Sequence, residues 1–185
     1  NQSNEGLNKK GEKIYTEAIR TDRIYVSPIH YSTETGKSML TVSAPLYDDW
    51  NINSKIIGVL VANIDLSISL YPLLLNTTGL GETGEALIVD MDVVVLNDLR
   101  NYQKAPLQLK ISAEPALHAS QGKTGIIKSI DYRGEPVLAA YTYIPRTGWG
   151  FVCKEDLSEL NKPFKNLQKQ LALLFILSII IIIAI

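Results

Sequence analysis

The last stretch of the chain, Leu171 to Ile185, carries no charged residue and a single hydroxyl, Ser178. Nothing else in the sequence restricts the fold as strongly. A helix that crosses the hydrocarbon core of a bilayer needs about 20 apolar residues. The run is roughly a turn short of that and is still apolar where the sequence stops, so it reads as the first part of a longer transmembrane helix. The alternative is a buried core helix of a soluble domain. Such a helix keeps a polar face, and Ile179 to Ile183 offers none. At the other end, Asn1 is preceded by no methionine and followed by no signal-like apolar segment. The chain therefore reads as an internal piece of a longer protein, with its export signal upstream.

The remainder has the composition of an ordinary globular domain: 46% hydrophobic, 20% charged, formal net charge -1. That balance implies neither nucleic acid nor an acidic substrate as partner. The lone cysteine, Cys153, has no internal disulfide partner and reads as a small buried apolar residue. Lys162, Lys165 and Lys169 precede the apolar run at spacings that put them on one helical face, where they meet anionic headgroups. Taken alone, these lysines favour a cytoplasmic N-terminal flank.

Before the membrane helix the pattern is α+β. Asn1 to Lys13 reads as loop and Ile14 to Ile19 as a short helical or mixed segment. Strand patterns cover Tyr25 to Tyr31, Ser38 to Leu46 and Ile56 to Ile64, the last nearly all apolar and so expected to be buried on both faces. Asp65 or Ser67 then caps a helix reaching Leu75. A hairpin follows (Glu85 to Val89, Val93 to Leu96), and Leu107 to Leu117 reads as helical. The first order of elements then recurs: strands at Thr124 to Ile130, Pro136 to Ile144 and Trp149 to Lys154, then a helix capped by Asp156 or Ser158. Antiparallel meanders flanked by helices belong to the α+β class. Gly79-Leu80-Gly81 marks the boundary, which gives two modules, residues 1–78 and 79–160, followed by a juxtamembrane and transmembrane segment, 161–185. The two antiparallel sheets are expected to be separate, with Ile56 to Ile64 and Trp149 to Lys154 in corresponding positions. The membrane helix is expected to be continuous with the helix that starts near Asp156, with Pro163 as the weak point.

Several segments resemble the double Cache sensors, a PAS-like family. Gly58-Val59-Leu60-Val61-Ala62-Asn63-Ile64-Asp65-Leu66 is similar to the strand-to-helix junction that closes their membrane-distal module, and Tyr25-Val26-Ser27 and Ser43-Ala44-Pro45-Leu46 resemble the strands before it. Gly81 to Asp90 is similar to the opening of the membrane-proximal module, with Asp131 to Tyr141 and Thr147-Gly148-Trp149-Gly150 similar to its later strands. The resemblance runs from about Lys13 to the membrane helix. It implies PAS-like modules outside the membrane, with residues 1 to about 169 extracytoplasmic, against the lysine signal. It also implies a long N-terminal helix, homodimerisation, and a cytoplasmic output: a sensor histidine kinase above all, a chemoreceptor signalling domain or a cyclic-dinucleotide enzyme. The implied partners are a small-molecule ligand such as an amine or amino acid and the membrane, with no nucleic acid and no cofactor. A membrane-anchored solute-binding or structural module without signalling output is the second reading, and an ectoenzyme, which needs a catalytic set, is a third.

No catalytic set is visible. His30 and His118 lie far apart without metal-ligand spacing to a cysteine or carboxylate. His30 sits beside tyrosines in a strand; His118 reads as an exposed helical residue. Asp65 has two readings: a helix N-cap, or a carboxylate that binds a ligand ammonium in a partly desolvated pocket. The resemblance favours the second. Tyr15, Tyr25 and Tyr31 have rigid apolar bodies with polar tips, which suit the walls of a small-molecule site. The family's amino-acid-binding pattern has an Arg, a Trp-Tyr pair and an acidic residue. Here Glu12, Ile14, Tyr15 and Glu17 stand in those places. Tyr15 and Glu17 fit; Glu12 and Ile14 depart, and the Arg is the group expected to bind a carboxylate, which leaves amines or uncharged ligands open. The candidate ligand residues are Tyr15, Glu17, Tyr25, Tyr31 and Asp65, in a pocket between the first-half strands and the loops Tyr31 to Ser38 and Tyr47 to Lys55. Tyr132, Arg133 and Tyr141 line a second pocket or, in the plainer reading, Tyr132-Arg133-Gly134 is a structural turn.

Overall fold

The computed structural model describes residues 11–33, 35–49, 55–76 and 78–184. The chain divides into two compact units, Asn1–Leu73 and Leu74–Ile185.

The first unit opens with helix α1 (Lys13–Thr21), ended by Asp22 in the left-handed region. Strands β1 (Tyr25–Val26), β2 (His30–Ser32), β3 (Lys37–Tyr47) and β4 (Ile56–Asp65) follow, then the short helix α2 (Leu66–Ser69). Strand β3 is the spine of this sheet. It pairs antiparallel with β1 and β2 along one side and with β4 along the other. Tyr25 to Tyr31, expected as one strand, is two short ones, because Ser27-Pro28-Ile29 interrupts the pairing. Pro45 lies inside β3 opposite Val59. It sits beyond the last β1 partner, Ser43, where only β4 runs alongside; an edge is where a strand tolerates proline. The expectation of two buried faces on β4 is corrected. β4 is an edge strand among the described residues, with Ile57 and Leu60 exposed. Of the loop Tyr47 to Lys55, residues 50–54 lie outside the described residues, as does nearly all of Asn1 to Lys13.

Helix α3 (Tyr71–Leu75) straddles the division. The second unit comprises β5 (Glu85–Val89), α4 (Glu114–Ser120), β6 (Gly125–Ile130), β7 (Pro136–Ile144), β8 (Trp149–Asp156), α5 (Leu157–Leu160) and α6 (Lys162–Ala184). Its sheet is antiparallel in the order β5-β8-β7-β6. Leu87, Val89, Val137, Ala139 and Val152 form the core beneath Ala116 and Ala119 of α4. The helix lies so close that a Cβ on Gly150 would stand 2.8 Å from the Ala119 methyl and 2.9 Å from the Ser120 amide. Leu107 to Leu117, expected to be helical, is helical only from Glu114. Leu107 takes φ 61, which a right-handed helix excludes, and Pro115 suits the first turn of a helix that begins there. His118, expected to be exposed, is half-buried, with Nδ1 3.1 Å from the Tyr141 hydroxyl.

The β3–β4 and β7–β8 pairs share a register. Gly36 and Gly134 both turn at positive φ, 67 and 87. Three residues after each glycine, Met39 pairs with Asp65 and Val137 with Asp156. The correspondence does not extend to burial: among the described residues β8 lies between two strands, β4 beside one.

Helices α5 and α6 are almost one helix. The interruption is Asn161, across which Asn161 N–H donates to the Leu157 carbonyl and Lys165 N–H to the Asn161 carbonyl, both at 3.0 Å. It falls two residues before Pro163, whose ring crowds the preceding turn and which lacks the next donor. Among the described residues one helix, Leu157–Ile183, is long and apolar enough to cross a membrane, and its apolar part is not buried against the rest of the chain.

Candidate ligand-binding cleft

In the first unit the start of α1, the segment from Tyr25 to Thr35 and one face of β3 and β4 enclose a cleft of about 850 Å³. Side chains alternate across a strand, so Val59, Val61, Asn63 and Asp65 share a face of β4. Their cross-strand neighbours include Thr41, opposite Asn63, and Met39, opposite Asp65. Buried polar groups on β3 fix the surrounding walls. Thr41 donates its hydroxyl to Asn63 Oδ1 at 2.8 Å, and its amide donates to Ser27 Oγ at 3.0 Å. The Ser43 hydroxyl donates to the Ile14 carbonyl at 2.6 Å, which pins the start of α1 over the sheet. Each of these buried hydroxyls would be costly without a partner.

Tyr15, Tyr25 and Tyr31 all line this cleft, together with Met39, Thr41 and Asn63. Glu12 and Lys13 stand at its α1 end, and His30 lies on the β2 side, its Nδ1 3.3 Å from the Pro28 carbonyl. The residues of the loop beginning at Tyr31 that line it are Tyr31, Ser32, Thr33 and Thr35.

Asp65 is at the edge of the cleft without being part of its lining. It is the N-cap of α2: Oδ1 accepts from the Ser67 amide at 2.9 Å and the Ser67 hydroxyl at 2.5 Å. Its other oxygen accepts from the Lys37 ammonium at 2.5 Å. The Lys37 bond first, then those from Ser67, hold the carboxyl below the usual carboxylate range. Glu17 also lies outside the lining. Arg20, one turn on, donates to it from NH2 at 2.6 Å and Nε at 3.2 Å, and this bond lowers its pKa. The structure thus brings the three tyrosines together and gives Asp65 and Glu17 partners of their own. Sequence reasoning missed Lys13, Met39 and Thr41. The alternation of β3 placed Met39 and Thr41 on one face, but only the β3–β4 register shows which face meets the cleft.

The second unit presents a different arrangement. A surface groove of about 710 Å³ runs along residues 109–114, 129–132 and Gly134. Beneath it, under α4, the remaining hollow is about 10 Å³, too small for more than about one water. A buried ionic cluster closes that place. Lys154 is 3% exposed, and its ammonium stands 2.5 Å from Asp131 Oδ2, 3.0 Å from Glu85 Oε2 and 4.7 Å from the centre of the Tyr132 ring. Arg133 bridges Asp131, at 2.6 Å, and Asp156. The Tyr132 hydroxyl donates to Glu85 at 2.9 Å, and the Arg100 amide donates to the same carboxylate at 2.8 Å. Burial disfavours the Asp131 anion, but Lys154 and Arg133 outweigh it, and its pKa lies below the ordinary value. Burial, then the Glu85 charge, push the Tyr132 phenol up. Among the described residues no group of three or more His, Cys, Asp and Glu side chains is placed to hold a metal ion.

A family described as the Cache domain matches residues 3–164. Among solved structures, the chain is similar to the ligand-binding domain of the Campylobacter jejuni chemoreceptor Tlp3 in complex with 4-methylisoleucine. The identity is 24% and the TM-score 0.60, over 85% of this chain and 57% of that one. It is similar to the ligand-binding domain of the Pseudomonas aeruginosa PAO1 amino acid chemoreceptor PctC in complex with GABA, at 18% identity and TM-score 0.55, over 84% and 66% of the two chains. It is also similar to the extracellular domain of a candidate histidine kinase, mmHK1S-Z2, at 15% identity and TM-score 0.60, over 81% and 57%. The chain therefore spans less than two thirds of each of these structures. No curated protein sequence matches it.

Proposed function

The chain belongs to the Cache domain family, and from that membership we propose that it is the extracytoplasmic, small-molecule-sensing part of a membrane signal-transduction receptor. The observation that carries this reading is the first-unit cleft, walled by Tyr15, Tyr25 and Tyr31 and floored by Thr41 and Asn63. Rigid aromatic walls with a few convergent polar groups are what a small-molecule site requires. The chain comprises two Cache modules, residues 1–78 and 79–160, the first of which binds the ligand. The ligand is an amine or an amino acid. Tyr15, Tyr25 and Tyr31 contact it directly. Asp65, on the lining face of β4, exchanges its Lys37 partner for the ligand ammonium, and Glu17 adds negative charge beside the α1 end. The 4-methylisoleucine and GABA held by solved neighbours support a ligand of this class. Helix α6 crosses the cell membrane, residues up to about 169 lie outside the cytoplasm, and the receptor works as a homodimer with a histidine kinase as its output. A ligand shifts the population of two packings of the sensor, and α6 carries the difference inward.

A thermal-shift screen of the chain in detergent micelles against amines, amino acids, carboxylates and purines tests this. A binder at 100 times its dissociation constant stabilises the native state by about 2.7 kcal/mol. A panel in which no amine or amino acid raises the transition contradicts the ligand class. Autophosphorylation of the full-length receptor from ATP tests the output.

A further inference from the structure

The C-terminal helix does not leave the second unit freely. Its root, α5, starts where β8 ends, and Glu159 reaches from it to the segment that follows α3. Glu159 Oε1 accepts from the Glu82 amide at 2.7 Å. Oε2 accepts from the Thr83 amide at 2.8 Å and the Thr83 hydroxyl at 2.5 Å. That hydroxyl accepts in turn from the Asp156 amide at 3.1 Å, so the end of β8 is tied to the same residue. The Thr83 hydroxyl first, then the two amides, hold the Glu159 carboxyl below its ordinary range. The fit is close on the other side as well. Gly81 has φ +69, and a Cβ there would stand 2.5 Å from Glu159 Oε1 and 2.8 Å from Glu155 Oε1. A side chain there would have to push both carboxylates aside and take a backbone conformation that glycine adopts without strain.

The gripped segment begins at Gly81, with Gly79 two residues before it, both at positive φ. Glycines of this kind absorb displacement, because many backbone conformations are open to them. A carboxylate fixed by three charge-assisted donors removes that freedom at the point where the segment meets the helix. Below it, the ladder from Leu157 through Asn161 to Lys165 carries any shift of α5 into α6.

We propose that Glu159 is a latch that fastens residues 81–83 to the root of the C-terminal helix, so that a displacement of this segment reaches α6 as a rigid shift. This concerns how movement is carried and holds whichever ligand the cleft takes.

The test uses the whole chain in lipid nanodiscs. Amide exchange at Glu82 and Thr83 is at least tenfold faster in Glu159→Ala and in Gly81→Ala than in wild type, and intermediate in Glu159→Gln. The amides of Leu87 and Val152 are unchanged, which shows that the sheet stays folded. Spin labels at Thr78→Cys and Gln168→Cys, in a Cys153→Ala background, give a narrow distance distribution when residues 81 and 159 are wild type and a broadened one in each of the three variants. Equal exchange at Glu82 and Thr83 in all forms, or a distribution that stays narrow in the variants, overturns the proposal.

Discussion

Replacing Lys154 by methionine should unfold the second unit far more readily, and the cluster around it sets the size of the effect. The ammonium is 3% exposed and neutralises two buried carboxylates at once. Removing one partner of a buried ion pair typically costs 3–5 kcal/mol, because the remaining charge is stranded. Here both carboxylates keep other partners: Asp131 keeps Arg133 at 2.6 Å, and Glu85 keeps the Tyr132 hydroxyl at 2.9 Å. The loss should therefore be at the low end, about 3 kcal/mol. For a unit of this size that is a fall of roughly 12 °C in melting temperature, at roughly 4 °C per kcal/mol. Trp50→Phe leaves Trp149, in β8, as the one tryptophan, so its fluorescence reports this unit alone. Adding Glu85→Gln should recover part of the loss, since the amide removes one stranded charge and still accepts from Tyr132. The acid limb gives a second check. A depressed carboxyl contributes stability that is present above its unfolded pKa, near 4, and lost as pH falls through its lower folded pKa. Asp131 is such a group. Without Lys154 its folded pKa rises, so acid unfolding should begin at a higher pH. A loss under about 1 kcal/mol would mean the charges are solvated, as surface pairs are, and would refute the view that Lys154 fills this site.

Other outcomes follow from the same geometry. Gly150→Ala should destabilise the second unit by about 1–3 kcal/mol, the usual range for overpacking, since the added methyl meets α4 at 2.8 Å; thermal unfolding reads it. Asp65→Asn should abolish binding of a ligand found in the screen while changing stability little, because asparagine also caps helices; unchanged affinity by calorimetry leaves Asp65 as a cap alone. Tyr15→Phe and Tyr25→Phe should each weaken that ligand by about 1 kcal/mol, roughly fivefold, if each hydroxyl donates one hydrogen bond to it, and unaltered titrations count against the tyrosine contacts.

Much of this architecture is legible in sequence because its signals are local. The apolar run after Lys169, the turn glycines Gly36 and Gly134, and the alternation in β6 are each readable within a few residues. The failures lie where distant parts decide. β4 is as apolar as a buried strand, yet Ile57 and Leu60 stand exposed on an edge, and composition does not reveal which strands lie beside it. Leu107 looks helical until its left-handed φ is known. The partner of Asp65 is Lys37, 28 residues away, and the two ends of the Glu159 latch are 76 residues apart. Lys154 did leave a trace: a lysine at the inward position of an apolar strand demands a buried counter-charge. Which carboxylates answer it, Glu85 and Asp131, depends on the sheet order β5-β8-β7.

The central claim is that a small molecule is read in the first-unit cleft, and the chain carries its own reporters for it. Met39 lines the cleft, while Met91, the other methionine, is exposed in the second unit. Methyl spectra of chain labelled with ¹³C at both methionines should be recorded during titration with each compound that stabilises it in the screen. The account predicts that the Met39 methyl shifts and saturates with the stabilisation curve while Met91 stays fixed. A compound that stabilises the chain and leaves Met39 unmoved would contradict it.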